Sequence, residues 1–308
     1  MIIMDYKSII KSRELRIKIL TFLGWIPDGI MLRLQYWLQT GRKLNLKNPK
    51  RFTEKLQLYK MKYRNPEMLR CTDKYEVRKY VEQKGFGKYL IPLIGIYDSV
   101  DEIDFKGLPH KFVAKTTDGG GGNQVLVCTN KSLLSEKDFR LRLNKWMDVR
   151  KASKHPSREW AYENDYPRRI IIEQFIGKEG VDKSLIDYKF FCFNGKVAYV
   201  YAITDRDLGD TVQLGVYSPA FRKLDVSRND ERPQNIPMEK PLNYKQMIRI
   251  AEELSTDFPH VRVDLYNIEG CIYFGELTFY DGSGYMTFNP DSFDLEFGKA
   301  FDCSSFMK

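Results

Sequence analysis

A run of four consecutive glycines between two strand-like segments is the feature that most constrains this chain. Residues 118–123 read Asp-Gly-Gly-Gly-Gly-Asn, with Phe-Val-Ala-Lys at 112–115 before them and an apolar segment at 124–128 after them. Ordering four glycines costs considerable entropy, and their N–H groups can approach phosphate oxygens closely. Walker and dinucleotide loops lead into a helix, and GxxxxGK[ST] is absent. The pattern favours a hairpin over a triphosphate; a floppy hairpin tip is the alternative.

Lys115 ends the strand immediately before the glycine run. A lysine at that position can reach an α- or β-phosphate, which favours phosphate binding over an ordinary surface role. The Val-Ala-Lys sequence is also found in protein kinases, but kinases place the glycine loop before the lysine and carry HRD and DFG motifs. Neither motif follows here, so the pattern does not indicate a protein kinase.

A second predicted hairpin carries charged residues on one face. Arg262 and Asp264 alternate with apolar residues at 260–266, and Glu276 and Thr278 do the same at 272–279. Two carboxylates on adjacent strands repel unless a cation joins them, and hard oxygen ligands are typical of Mg²⁺. Two unrelated surface acids are the alternative.

The metal hypothesis carries a condition on register. A two-residue turn at Glu269-Gly270 pairs Asp264 with Gly275, which turns Glu276 to the opposite face. A loop of odd length or a β-bulge is therefore needed to place the two carboxylates opposite each other.

Composition excludes several classes of protein. The chain has 308 residues with 43% hydrophobic content, enough for a large core, and no run of 18 apolar residues. Its five cysteines form no CxxC pair, which indicates reduced thiols and a cytoplasmic location. Three scattered histidines, with neither HExxH nor GxSxG, argue against zinc chemistry and a serine hydrolase.

Positive charge is concentrated in the N-terminal fifth of the chain. Residues 1–64 hold 15 Lys and Arg against four acids, whereas the rest holds 35 against 37. The segment 33–64 could attract an acidic glycan, phosphates or anionic lipids, or simply be a solvated helical face. For the apolar segment 15–23 the pattern favours core packing over a membrane surface. No helix-turn-helix or RNA-binding signature is present, so we expect no nucleic-acid partner.

The remaining patterns predict an α+β fold. Helices are expected over 6–64, over 73–84 with Thr72 as the cap, and over 135–147 and 244–254. Asn194-Gly195 predicts a hairpin turn between two apolar strands. Glu173 follows a buried strand and precedes Gln174, Phe175 and Ile176, which together suit a short hinge. Antiparallel hairpins predominate over βαβ units.

Taken together, residues 48–300 resemble the TupA-like family of the ATP-grasp superfamily, found in bacterial surface-polysaccharide gene sets. Each motif is weak alone, but their order and spacing are specific. The matching pieces are Asn-Pro at 48–49, Phe-Thr-Glu-Lys at 52–55, Asp-Lys-Tyr at 73–75, Val-Arg at 77–78, Leu-Pro at 108–109, Phe-Val-Ala-Lys at 112–115, the glycine run, Glu-Gln-Phe at 173–175, the segment 187–196, Lys-Pro at 240–241, and the segments 262–266 and 275–279.

The resemblance implies an ATP-grasp fold, in which two α+β subdomains clasp ATP, here with a basic helical N-terminal segment. The corresponding ranges are 1–70 for the helical segment, 71–172 for the smaller subdomain and 173–308 for the larger one. It implies nucleotide contacts from Lys74, Lys115, Gly119, Gly120, Gly121, Gly122, Asn123, Glu173, Gln174, Phe175, Ile176 and Asp187, the last as a ribose ligand. It implies a phosphate-steadying role for Arg262, a weaker one for Arg206, and Mg²⁺ ligation by Asp264, Glu276 and Thr278.

The implied reaction is ATP-dependent ligation of a carboxylate to an amine through an acyl phosphate. By family context the acid is a hexuronic acid of a capsule, O-antigen or teichuronic-type polymer, and the amine is an amino acid. One departure is Glu276-Leu277-Thr278, where many ATP-grasp ligases have Glu-x-Asn, because a hydroxyl is a poorer ligand than an amide carbonyl. A glycan kinase or transferase on the same fold and a non-catalytic glycan-binding module are the alternatives.

Overall fold

The protein is described by a computed structural model, which covers residues 12–120, 124–149, 155–177, 185–204 and 212–307. Within these residues the chain forms eight α-helices, twelve strands and several short 3₁₀ turns. The helices are α1 (Arg13–Phe22), α2 (Asp28–Thr40), α3 (Phe52–Lys62), α4 (Pro66–Cys71), α5 (Glu76–Gln83), α6 (Glu136–Met147), α7 (Tyr244–Ser255) and α8 (Ser292–Ala300). None of them is long and apolar enough to cross a membrane.

A four-stranded antiparallel sheet forms the first half of the molecule. Its strands are β1 (Leu93–Tyr97), β2 (Phe112–Thr116), β3 (Val125–Cys128) and β4 (Ile170–Gln174), in the order β1-β4-β2-β3. The inner face packs on α6 through Phe139, Leu143 and Trp146, which meet Phe112 in one core. Ser135 begins α6 as predicted, because its hydroxyl accepts a hydrogen bond from the Asp138 N–H.

A six-stranded sheet forms the second half, in the order β11-β10-β5-β6-β7-β9. Its strands are β5 (Asp187–Phe193), β6 (Lys196–Thr204), β7 (Gln213–Tyr217), β9 (Arg232–Pro233), β10 (His260–Ile268) and β11 (Cys271–Thr278), while β8 (Ser227–Arg228) and β12 (Phe288–Asn289) pair separately. The predicted turn at Asn194-Gly195 is confirmed, since β5 and β6 pair antiparallel around it. Helix α7 packs on this sheet with Met247, Ala251 and Leu254 fully buried. The predicted α+β class is confirmed.

Helix α3 is built into the core of the larger sheet. Phe52 stacks on Phe297 of α8 with ring centroids 4.1 Å apart, and Asp294 accepts hydrogen bonds from the backbone and hydroxyl of Thr53. Lys55 donates to two carbonyls at the end of α8, and the Lys60 ammonium, almost fully buried, donates to the Ser157 and Ser283 carbonyls. Two of the N-terminal lysines therefore contribute to the fold rather than to a basic surface.

Three local predictions differ from the structure. The segment 15–23 does not pack in the core, since Leu15 and Phe22 of α1 are exposed. The helix predicted over 73–84 is shorter, α5, because Asp73 rather than Thr72 accepts the hydrogen bonds of its first N–H groups. Glu173 lies within β4 rather than beyond it, because it pairs with Leu93 on one side and Val113 on the other.

Candidate active site

The predicted glycine hairpin is present between β2 and β3. The two strands pair antiparallel, with Lys115 opposite Val125 as the last pair before the turn. A Cβ added at Gly119 would lie 2.7 Å from the Thr116 hydroxyl oxygen, so the turn has no room there for a side chain. Lys74 donates a hydrogen bond to the Gly119 carbonyl, which brings both predicted lysines to the hairpin. Gly120 is described, whereas Gly121, Gly122 and Asn123 lie outside the described residues.

A carboxylate shared by two cations lies on the same face of the smaller sheet. Glu173 is buried, with one oxygen 2.7 Å from the Lys115 ammonium and the other 3.0 Å from the Arg78 guanidinium. Arg78 also donates to the Ile91 carbonyl, which fixes it between α5 and the residues before β1. Because Arg78 holds Glu173 independently, Lys115 can turn toward a ligand without leaving the acid unpaired.

Charged residues on both sheets influence the pKa of Lys74. Burial lowers the pKa of its ammonium, nearby Glu276 on β11 opposes that shift, and Lys115 adds to it. The pKa of Lys74 is therefore affected by a charge on the smaller sheet, Lys115, and by the predicted metal ligand Glu276 on the larger one. Its own backbone N–H donates to the Thr117 carbonyl, which anchors α5 beside the hairpin.

Two of the four predicted linker residues, Gln174 and Phe175, border a groove of about 470 Å³ at the edge of the smaller sheet. Pro92, Ile94 and Pro109 line it as well. Gln174 is the last residue of β4, and Ile176 follows it half-buried. The groove has an apolar wall beside Lys111 and is of a size that suits an aromatic base.

The register condition on the metal hypothesis is met by a bulge. β10 and β11 are joined through a two-residue turn, because Ile268 pairs directly with Cys271. The register then shifts between Asp264 and Leu265, which leaves Gly275 unpaired and sets Asp264 opposite Glu276. A Cβ at Gly275 would lie 3.1 Å from the Asp264 carbonyl oxygen, so the bulge accommodates glycine most readily. Both carboxylates therefore share one face of the sheet.

Arg262 organises this face. Its guanidinium donates two hydrogen bonds to Asp264, each 2.7 Å long, and one to Asp281 after β11. Its Nη2 group, which makes one of the two bonds to Asp264, also lies 3.2 Å from a Glu276 oxygen and 3.0 Å from the Thr278 hydroxyl oxygen. Although burial alone would lower the pKa of Arg262, Asp264 and Asp281 raise it well above the ordinary value.

Lys189 on β5 completes the cluster and was not assigned a role from the sequence. It lies directly opposite Asp264, and its ammonium contacts both Asp264 and, at 2.7 Å, Asp187. Burial would raise the pKa of Asp264, but Arg262 and Lys189 outweigh it and hold that pKa below the ordinary value. The spacing of Lys189 two residues after Asp187 in a strand was the available signal, because such residues share a face.

The donor set matches a hard divalent cation in type. Asp264, Glu276 and Thr278 offer two carboxylates and a hydroxyl on adjacent strands, with the Thr278 and Glu276 oxygens 3.1 Å apart. Asp264 is 2% exposed and shared by two cations, whereas half of the Glu276 side chain is accessible. Within the described residues no group of three or more Asp, Glu, His and Cys forms a metal cage. These oxygens are of the type that Mg²⁺ prefers, and Glu276 is the accessible one among them.

Two further residues bear on the predicted site. Asp281 was not predicted, because it follows β11 outside any periodic pattern, yet it binds both Arg262 and Arg228. Arg206 lies outside the described residues, so its predicted phosphate contact stays a prediction.

Comparison with known protein families identifies the family of this chain. Residues 54–302 match the sequence model of the TupA-like ATPgrasp family. D-alanine–D-alanine ligase from Bacillus anthracis, complexed with ATP, matches at 15% identity and a TM-score of 0.39, over 68% of this chain and 55% of that one. The Helicobacter pylori D-alanine–D-alanine ligase matches at 16% identity and a TM-score of 0.39, over 75% and 58%.

An L-amino acid ligase from Bacillus licheniformis matches at 15% identity and a TM-score of 0.39, over 70% of this chain and 42% of that one. The chain thus spans roughly half the length of the solved structures that it matches. No curated protein matches it.

Proposed function

Because the chain belongs to the TupA-like ATP-grasp family, we propose that it is an ATP-dependent ligase that joins a carboxylate to an amine. The observation that carries the proposal is the position of Lys74. Its ammonium donates to the Gly119 carbonyl of the glycine hairpin, beside Lys115, and the charge of Glu276 on the opposite sheet opposes the lowering of its pKa by burial. One lysine thus links a cation-rich phosphate cradle to a set of acids suited to a metal.

The residues of the smaller sheet bind and hold the nucleotide in this proposal. Lys74 and Lys115 neutralise the phosphates, and the glycine hairpin covers them so that water is excluded. The groove beside Gln174 and Phe175 receives the base. Glu173 orients the Lys115 side chain through their 2.7 Å ion pair.

The residues of the larger sheet hold the reacting end. Glu276, with Asp264 and Thr278, would hold Mg²⁺, which when bound neutralises charge on the transferred phosphoryl group. Arg262 fixes the orientation of all three ligands and adds positive charge beneath them. The neighbouring carboxylate of Asp187 is held by Lys189, where the resemblance expects a ribose contact.

The proposed chemistry needs no enzyme nucleophile. A carboxylate oxygen of the acid attacks the γ-phosphorus, the bond to the β–γ bridging oxygen breaks, and ADP leaves. The amine nitrogen then attacks the acyl carbon, the bond to the phosphate oxygen breaks, and inorganic phosphate leaves as the nitrogen loses its proton. Catalysis is then mostly positioning and electrostatic stabilisation, which the two clusters can supply.

The substrates follow from the resemblance. We propose a hexuronic acid of a capsule, O-antigen or teichuronic-type polymer as the acid and an amino acid as the amine. The reaction is placed in the cytoplasm, which agrees with five cysteines that are all free thiols. Exposed Lys43, Lys47 and Lys50 are the residues of the basic segment 33–64 that we expect to meet the acidic glycan. Reversing these three charges should weaken glycan binding and leave nucleotide binding intact.

The decisive assay traps the intermediate. The protein is incubated with ATP, Mg²⁺, hydroxylamine and a panel of hexuronic acids, and hydroxamate, ADP and phosphate are measured together. The proposal predicts hydroxamate with equal amounts of ADP and released phosphate, and an amide when an amino acid replaces hydroxylamine.

Glu276→Gln should lower the rate by roughly 100-fold or more, because a transition-state contact is lost. The exposed Glu253→Gln on α7 is the matched control and should keep the wild-type rate. Phosphate retained on a sugar would identify a kinase instead. ATP turnover absent with every acid, in a protein that still binds nucleotide, would favour a glycan-binding module.

A further inference from the structure

The N-terminal helices expose an apolar surface that the proposed ligase chemistry does not use. Among the described residues, eight of the 18 exposed large apolar side chains lie between positions 15 and 37. Phe22 and Trp25 are 80% and 77% exposed. We define the N-terminal apolar surface by six of these residues: Ile19, Phe22, Trp25, Ile30, Leu34 and Trp37.

Helix α2 shows that this exposure is not the ordinary outer face of an amphipathic helix. One side buries Leu32 and Tyr36 completely, in a small core with Leu44. The opposite side presents Ile30, Leu34 and Trp37, spaced four and three residues apart on one stripe. A helix that is apolar on both sides is normally buried on both, so the outer stripe calls for a second covering surface.

The two helices repeat one pattern. In α1, Leu15, Ile19 and Phe22 form a stripe with Lys18 beside it; in α2, Ile30, Leu34 and Trp37 form a stripe with Arg33 at the same relative position. Each stripe thus ends in an aromatic ring and has a cation on the same flank. The side chains of Lys18 and Arg33 are both exposed.

The surface is held in shape by the body of the protein. Buried Arg158 donates to the Leu23 carbonyl at 2.8 Å and to the Gly24 and Ile26 carbonyls at 3.4 Å each. These contacts fix the turn between α1 and α2, on which Trp25 projects. An ordered turn that presents an exposed tryptophan is a built feature rather than a frayed end.

We propose that the N-terminal apolar surface docks on an anionic lipid bilayer. Tryptophan and phenylalanine beside lysine and arginine are the composition of interfacial membrane anchors, where rings enter the headgroup region and cations meet lipid phosphates. Charge complementarity favours the same occupant, because residues 1–64 carry 15 Lys and Arg against four acids. The docking site lies at 15–37, before most of the basic segment predicted from the sequence.

Vesicle flotation tests this directly. The full chain is mixed with vesicles of phosphatidylcholine containing phosphatidylglycerol, or of phosphatidylcholine alone, and floated on a density gradient. We expect co-flotation with anionic vesicles and a blue shift of tryptophan fluorescence. Trp25→Ser/Trp37→Ser should weaken partitioning by roughly tenfold or more, because two large apolar side chains are lost from the interface.

Leu133→Ser/Leu242→Ser is the matched control, since both leucines are exposed apolar residues elsewhere, and it should float as the wild type does. Lys18→Glu/Arg33→Glu should remove the preference for anionic over neutral vesicles. Thermal unfolding of each variant, with and without nucleotide, shows that the fold and the active site are unchanged. Wild-type protein that stays off the vesicles, equal loss in the leucine control, or a dimer in light scattering that the tryptophan variant abolishes would each overturn the proposal.

Discussion

The two sheets carry site clusters of opposite charge balance. The cluster on the smaller sheet has three cations and one carboxylate, whereas that on the larger sheet has four carboxylates and two cations. The first, the cationic cluster, is Lys74, Arg78 and Lys115 with Glu173; the second, the acidic cluster, is Asp187, Asp264, Glu276 and Asp281 with Lys189 and Arg262. A magnesium–triphosphate complex has an anionic part, the phosphates, and a cationic part, the metal ion. The cationic cluster is complementary in charge to the phosphates, and the acidic cluster to the metal ion.

The clusters also differ in how they are anchored. In the cationic cluster the shared acid is buried, whereas Lys115 is partly exposed and is the member that can meet a ligand. In the acidic cluster Asp264 is buried beneath Arg262, and Glu276 is the exposed member. Each cluster therefore separates a structural charge from a charge that can meet a ligand.

The largest expected effect distinguishes the two acids of the pair. Asp264→Asn removes one of the carboxylates that pair with buried Arg262 and Lys189, while Asp281 and Asp187 still pair with them, so we expect a loss of about 3 kcal/mol in the free energy of unfolding. Glu276→Gln, at the half-exposed position opposite, should cost less than about 1 kcal/mol. Urea unfolding of both variants measures this. Equal losses would show that Asp264 and Glu276 are not divided into a structural and an accessible acid.

A buried histidine should also make the larger sheet sensitive to acid. His260, the first residue of β10, is fully buried, and burial lowers its pKa to about 4. Its unfolded pKa is near 6.5, so between those values the unfolded chain binds the extra proton and stability falls as pH falls. From pH 7.5 to 5 we expect a loss of about 2 kcal/mol from this residue.

His260→Phe should flatten that dependence in urea titrations at the two pH values, because it removes the titrating imidazole. The rings of Phe52 and Phe193 already pack against this position, so it should accept a phenyl ring. Asp264 adds a loss at lower pH, since its folded pKa is depressed and its stabilisation disappears as it becomes protonated. An unchanged slope in the His260 variant would contradict the assignment.

The cationic cluster can be divided in the same way by two substitutions around Glu173. Lys115→Gln should weaken ADP binding by roughly tenfold, because a charge-assisted phosphate contact is lost. Its stability should change little, since Arg78 still holds Glu173. Arg78→Gln should lower the stability and leave ADP binding nearly unchanged, because Arg78 also donates to the Ile91 carbonyl. Calorimetric titration with ADP and thermal unfolding of both variants measure these two effects. Weaker ADP binding in the Arg78 variant, or a large loss of stability in the Lys115 variant, would contradict this division.

The smallest effect concerns the bulge that joins the acids. Gly275→Ala places a Cβ 3.1 Å from the Asp264 carbonyl, a contact that a small backbone shift relieves at a cost of about 1 kcal/mol. The shift moves Glu276 against Asp264, so the Mg²⁺ dependence of nucleotide binding should weaken more than stability does. Gly195→Ala is an unsuitable control because its φ is positive, but Gly24→Ala, in the turn between α1 and α2, has open space for the new methyl group and lies outside the nucleotide site. Equal effects at Gly24 and Gly275 would contradict a special role for the bulge.

Local patterns explain why much of this architecture could be predicted. The Asn194-Gly195 turn, the alternation around Arg262 and Asp264, and the glycine run each act over a few residues. Their combination also identified the family. The sequence could show that a bulge or an odd loop was needed to bring Asp264 opposite Glu276, but it could not predict the bulge at Gly275. Strand register depends on contacts with the whole sheet.

Other features depend on tertiary contacts that no local pattern reveals. Lys189 meets Asp264 only through the pairing of β5 with β10, which are far apart in the chain. Lys55 and Lys60 looked like surface charge until their carbonyl partners on distant segments were seen. The exposure of α1 was wrongly predicted for the complementary reason, since apolar residues alone do not show what they pack against.

The most direct test of the central claim, that the two clusters form one magnesium–nucleotide site, is a calorimetric titration with a non-hydrolysable ATP analogue. It is run on the wild type and on Glu276→Gln, each with and without Mg²⁺. The account predicts wild-type binding that tightens at least about tenfold with Mg²⁺, or about 1.4 kcal/mol, and a variant that binds equally with and without it. Wild-type binding that is independent of Mg²⁺, or a variant that keeps the full Mg²⁺ effect, would contradict it.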